Sequence, residues 1–416
     1  MPASPLPGET TPPSRWSLMV VALRYRDFRL VWLGSVTEHT GEFMELAAVL
    51  WLTNQLTHSP LMLTVVGTAH YVAMIFFPIA GGVVADRINR RHLLIMALLA
   101  SCLLSVALMV LTITGVIAVW HLAVISLLHG VAISFNHPAR QSIVPNLVKR
   151  EHLLNAISID VLSVRGSSAI GMTAAGYLIA AVGTWPVFAL RALGCLVAID
   201  WLAQAHIPPT PPATRTQAPL QNLAEGFRYL RSHTAVLILV LMFALPYLLL
   251  NTYTNFIPVF ASDILRVGAI GYGWLQGAPG IGGIICLVGL GLLTYYQNKF
   301  RLLIMAGVIL GIGMVLFAVS PWLPLSLPLL VVVGGMNAAM IAVNSTIIQS
   351  AIPDEVRGRI LSWRGIFFGL GPTVSLAFGA LAQQSGVVLS LVLLGGISLV
   401  ISLALIRLLP RFNNMD

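Results

Sequence analysis

Charge is scarce in this chain of 416 residues: only 9% are Asp, Glu, Lys or Arg, and the acids number fourteen. Lysine occurs twice, at Lys149 and Lys299, and cysteine three times. Each shortage excludes something. Neither lysine lies in a G-x-x-x-x-G-K-[ST] phosphate loop, so the chain does not by itself run on ATP. Cys102, Cys195 and Cys286 stand far apart inside apolar runs, without metal-site or disulfide spacing, and read as small buried hydrophobes. No metal, no cofactor and no enzymatic activity are expected, because neither a ligand cluster nor a nucleophile–base pair is visible. A soluble fold is excluded as well: 57% of residues are hydrophobic and the mean hydropathy is +0.90.

What is abundant is long apolar sequence. A helix crossing about 30 Å of hydrocarbon at about 1.5 Å per residue needs about 20 apolar residues. Twelve stretches qualify, which predicts an all-α polytopic membrane protein. The first six are roughly Leu30–Asn54, Leu61–Val84, Leu93–Thr114, Val116–Phe135, Leu153–Val182 and Val187–Ala205. The second six are Ala235–Ala261, Ala269–Thr294, Leu302–Val319, Leu325–Val343, Ile360–Ala382 and Val387–Leu409. The chain accordingly divides into a Pro-rich tail at 1–26, a first six-helix half at 27–206, a linker at 207–233, a second half at 234–409 and a tail at 410–416. Within the linker, LAEGFRYLRS has the spacing of a short surface helix, with a plain connector as the alternative. The first residues lack the layout of a signal peptide and read as an unstructured cytoplasmic tail.

The net charge of +9 is a topology signal rather than a nucleic-acid footprint. With both termini cytoplasmic, nineteen of the 23 basic residues fall in inside segments and Arg266 alone falls outside. The remaining three, Arg165, Arg191 and Arg364, lie within spans.

The halves repeat. Leu93–Ala97 reads LLIMA, as does Leu302–Ala306; Asn136, Gln141, Ser142 and Pro145 recur as Asn344, Gln349, Ser350 and Pro353; Gly176 and Gly183 match Gly379 and Gly386. Two duplicated six-helix units facing one another leave a cavity near the midplane that opens to either side as they rock.

Against this background VTEHTGEFMELAAV, Val36–Val49, stands out, for it sets three of the fourteen acids inside the first span. At about 100° per residue Glu38, Glu42 and Glu45 share an arc of about 60°. Counted from Leu30, Glu38 lies about 12 Å deep and Glu42 about 18 Å, on either side of the midplane. An ionised carboxylate there costs several kcal/mol unless paired or hydrated, so it should take up a proton or find Arg165, which reaches a similar depth in the fifth span. Glu42, then Glu38, with Glu45 nearer the outer leaflet, are the expected proton-coupling groups, with Arg165 as competitor. A static ion pair is the alternative. His39, His70 and His129 are also intramembrane and read as neutral rings bonded to backbone carbonyls, with a proton relay as the alternative. The second half supplies neutral polar groups instead: Tyr247, Asn251 and Asn255 recur every four residues, and Asn337 and Asn344 are seven apart. With Asn136 and Arg140 they make up the expected substrate cavity, helix–helix hydrogen bonds being the alternative for the amides.

The loop after the second span reads GGVVADRINRR, Gly81–Arg91. A tight turn there needs a small residue for close packing, and an Asp beside a helix start can accept backbone N–H bonds while pairing with Arg. Gly82, Asp86, Arg87, Arg90 and Arg91 resemble the signature loop of the major facilitator superfamily, with which the repeat and the twelve spans agree. RYRDFRLVWLG, PARQSIVP and PDEVRGRILS resemble its efflux branch of enterobactin-type siderophore exporters and macrolide efflux proteins. The chain departs from the pattern at Asn89, at Tyr295 where a second Asp would align, and at Gly171-Met172 where such exporters commonly carry Gly-Pro. The resemblance implies that the loop is a conformational gate and that Arg140 guides protons or anions, a helix-end cap being the alternative.

The resemblance also implies a monomeric secondary transporter of a bacterial cytoplasmic membrane. Its partners would be a small molecule, protons and the lipid bilayer, with no nucleic acid. Proton-coupled export of an amphipathic compound, siderophore or drug-like, leads; uptake of a metabolite or a non-translocating receptor remain. The glutamates favour cations as substrate, Arg165 and Arg364 favour anions, and the amides and tyrosines suit siderophores or macrolides.

Overall fold

The computed structural model describes residues 21–85, 90–207, 252–292, 298–351 and 371–406, with 228, 231–232 and 237. Most of the linker call, and the calls at Asp86, Arg87, Tyr247, Asn251 and Arg364, lie outside the described residues. A short 3-10 turn, Val21–Arg24, precedes the helices. They are α1 (Arg26–Thr57), α2 (Pro60–Ala85), α3 (Arg90–Ile113), α4 (Val119–Leu147), α5 (Leu153–Val182) and α6 (Trp185–Gln204) in the first half. In the second half come α7 (residues 252–259, running into a π-helical turn at Phe260–Ile264), α8 (Gly268–Leu292), α9 (Lys299–Ala318), α10 (Leu323–Ala351), α11 (residues 371–385) and α12 (Val387–Ile406).

Eight of these are long and apolar enough to cross a membrane. The 32-residue α1 is not among them, although it is the longest: its run of Glu, His, Thr and Gly lowers its hydropathy. Large apolar side chains such as Leu103, Leu193, Ile285 and Val400 point outward, the arrangement of helices solvated by lipid. α4 and α10 extend well past the expected ends, to Leu147 and Ala351.

The repeat has a backbone counterpart. Gly183, between α5 and α6, and Gly386, between α11 and α12, both adopt positive φ, 99° and 88°. A side chain at either turn would be strained, which accounts for glycine at both.

The halves meet along α5 and α8, where glycines let backbones touch. A Cβ at Gly176 would sit 2.6 Å from the Ala269 carbonyl oxygen and 2.7 Å from the Gly273 Cα. The halves are also tied by hydrogen bonds toward the end bearing the α1–α2, α7–α8 and α11–α12 turns. Asn54 donates to Ser262 (3.0 Å), Ser59 to Gln383 (2.7 Å), and the Tyr272 hydroxyl to the Ala47 carbonyl (2.8 Å). Gly176→Val should overpack this seam and lower stability by about 1–3 kcal/mol, read as a lower melting temperature in detergent.

Candidate functional site

α1 presents its acids inward. Glu38 and Glu45 are buried, and the Glu42 side chain keeps 28% of its exposure, against 6% for Glu38 and 9% for Glu45. Asn136 and Arg140, one helical turn apart on α4, both reach Glu38: the amide donates to Oε1 at 2.8 Å and the guanidinium pairs with Oε2. The spacing dictates this, since residues four apart share a helix face.

Arg140 also bonds Nε2 of His39 at 2.8 Å, and Nδ1 of His39 lies 3.3 Å from Oε2 of Glu42. A guanidinium can only donate. Nε2 therefore accepts, the ring is neutral, and its one hydrogen sits on Nδ1 facing Glu42. Glu42 and Glu38 are thus linked through one imidazole and one guanidinium.

Glu45 has its own partners. Ser105 Oγ donates to Oε2 at 2.5 Å, and Nδ1 of His129 lies 3.1 Å from Oε1. The expectation that these histidines bond backbone carbonyls is corrected for His39 and His129: His39 meets Glu42 three residues on in its own helix, and His129 meets Glu45 because the acid face of α1 turns toward α4.

Arg191, on α6, joins the site although the sequence reading assigned it no role. It is 1% exposed, and its NH1 donates to the Glu38 backbone carbonyl at 2.6 Å. Gly41 makes room for it, since a Cβ there would lie 2.9 Å from Arg191 Cδ. Gly41→Val should push the guanidinium off its carbonyl and destabilise the fold by about 1–3 kcal/mol, visible as a lower melting temperature. The available signal was its position: a charge inside a span must be paired or functional.

Glu42 is the member of this cluster with open access. A space of ≈20 Å³, on the order of one water, adjoins Glu38, Asn136 and Arg140.

The structure does not bring Arg165 to these acids, which corrects the expected competition. Ser167 Oγ donates to the Val36 carbonyl (3.2 Å) and Gly171 abuts Thr40, so the 167/171 face of α5 is the one against α1. Arg165 lies about 200° around the helix from Ser167, on the face with Ala169, Thr173 and Gly176 that meets α8. There it lines a cavity of ≈110 Å³ between the halves, with Phe43, Tyr71, Met172, Gln276 and Asn337 among its neighbours.

Of the other expected cavity residues, Asn337 lines this space. Asn136 and Arg140 serve Glu38 instead. Asn255 donates to Ser375 of α11 at 3.1 Å, the helix–helix bond that was its alternative, and its neighbour Thr254 lines the cavity. Asn344 is buried within α10 and is not part of the lining. Of the loop residues, Gly82 lies in α2, Arg90 opens α3, and Arg91 NH2 donates to the Ala203 carbonyl near the end of α6. Such a cation satisfies carbonyls that a helix C-terminus leaves open.

A family model described as transmembrane secretion effector matches residues 18–416. The multidrug efflux pump Tap of Mycolicibacterium fortuitum is 25% identical over 399 residues, 93% of this chain and 96% of that protein. The enterobactin exporter EntS of Escherichia coli is 27% identical over 311 residues, 73% of each. Among solved structures, a POT family transporter in complex with a thioalcohol-conjugated peptide superposes with a TM-score of 0.77 at 13% identity, covering 93% of this chain and 96% of that one. A bacterial homolog of the human lysosomal transporter Spinster, inward-facing and unoccupied, gives 0.70 at 16%, covering 93% and 97%. At such identities the likeness is one of fold.

Proposed function

The chain belongs to the transmembrane secretion effector family of major facilitator transporters, and from that premise we propose that it exports a small amphipathic molecule in exchange for protons. The observation that carries this reading is the acid cluster on α1, with Glu42 as its accessible member. An ionised carboxylate inside a membrane domain is costly, and a proton on Glu42 removes its charge. Protonation weakens the bond from Nδ1 of His39, because a neutral carboxyl accepts less strongly than a carboxylate, and so loosens the imidazole–guanidinium bridge to Glu38.

α1 also carries the tie between halves. Beyond Glu42 it lines the cavity with Phe43, Leu46 and Leu50, accepts from Tyr272 at Ala47 and reaches Ser262 through Asn54. A change at Glu42 is thereby felt along one rigid helix by both the cavity and the cross-half bonds. That coupling of proton to gate is what alternating access needs.

Export from a bacterial cytoplasmic membrane with both termini inside is supported by the positive-inside bias and by relatives named as an efflux pump and an exporter. Inverted vesicles test this. Enterobactin and a panel of amphiphiles should accumulate uphill when the interior is acidified, and a protonophore should abolish the accumulation. Accumulation that ignores the gradient, or binding without flux, would overturn the reading.

A further inference from the structure

We propose that the ≈110 Å³ cavity between the halves is an anion-binding site anchored by Arg165, which selects amphipathic acids that also carry a hydrogen-bond donor. This deepens the export reading by naming the substrate class, and rests on it only for the direction of flux. Among the described residues that line the cavity, Arg165 is the one formal charge and none is a carboxylate. The ion pairs among the described residues all belong to the α1 cluster, and none includes Arg165. Its stem crosses α8 where glycine leaves room, a Cβ at Gly283 meeting its Cδ at 3.4 Å and Nε at 3.7 Å.

A guanidinium without a counter-charge inside a membrane domain is costly to keep, and an incoming carboxylate offsets that cost with two parallel charge-assisted bonds. The wall holds a second unmet group. Gln276 spends its amide hydrogens on the Thr254 carbonyl (3.0 Å) and the Tyr272 hydroxyl (3.2 Å), while its Oε1 is buried with no partner. That oxygen is shielded from the open space, and a donor on the bound ligand would satisfy it. Phe43, Tyr71 and Met172 supply the apolar and aromatic surface between them. Together these features describe a hydroxy- or amino-substituted aromatic acid better than a cation, for which the described wall offers no carboxylate.

Fluorescence titration of the full chain in nanodiscs of zwitterionic lipid tests this, with 6-hydroxy-2-naphthoate, its carboxamide and 2-naphthoate as probes. The wild type should bind the hydroxy acid about 10–100-fold more tightly than the amide. Arg165→Gln should erase that preference, Arg165→Lys should retain part of it, and Gln276→Met should remove only the advantage of the hydroxyl. Equal binding of acid and amide by the wild type, no saturation by the acid below millimolar concentration, or an unchanged preference in Arg165→Gln would each overturn the proposal. The wild-type comparison stands even if a variant fails to fold. Because titration needs no gradient, its failure is read separately from failure of proton coupling.

Discussion

Gradient-driven accumulation should fall to the background of vesicles lacking the protein when Glu42 becomes Gln, while the fold keeps its stability to within about 1 kcal/mol. Glutamine preserves the shape of the side chain and an acceptor oxygen for Nδ1 of His39. It cannot exchange a proton, and it mimics the protonated state permanently. Downhill exchange of substrate should survive, because the halves can still rock with a neutral side chain at position 42. Glu38→Gln should behave differently. Its partner Arg140 is 11% exposed and would lose the carboxylate it pairs with. That variant should lose both transport and stability. Accumulation at wild-type level in both variants would remove these residues from the mechanism.

The second large effect is on stability. Arg140→Gln strands Glu38 with a single amide donor, Asn136, and removes the hydrogen bond that fixes the His39 tautomer. Breaking one side of a buried pair costs about 3–5 kcal/mol, whereas removing both sides can be nearly neutral. The double variant Glu38→Gln with Arg140→Gln should therefore melt closer to the wild type than either single variant. Additive losses in the double variant would show that the two side chains do not act as a pair.

The acid face of α1 was legible because it needed only a helical period and the rarity of acids in this chain. Azimuth on the partner helices was not legible. Counting residues from the membrane edge puts Arg165 at the depth of Glu42, but depth says nothing about which side of α5 it faces. Ser167 and Gly171 settle that by taking the α1 side. Arg140 was readable as a basic residue near a helix end, and its four-residue spacing from Asn136 was the sign that both serve one partner. Arg191 was visible as an intramembrane charge, yet its target is a backbone carbonyl, which no side-chain pattern announces. The repeat proved informative down to single turns, since Gly183 and Gly386 share a conformation that only glycine adopts without strain. Asn255 shows the reverse case. Amides at a four-residue spacing report a shared face but not whether that face meets a cavity or, as here, Ser375.

Purified protein reconstituted in liposomes with a pH-sensitive dye trapped inside gives the most direct test of the central claim, that the accessible carboxylate on α1, Glu42, carries the coupling proton. Adding a transported compound should move protons in the opposite direction in the wild type and should move none in Glu42→Gln, while labelled substrate still exchanges in both. Proton movement of equal size in Glu42→Gln would contradict the account.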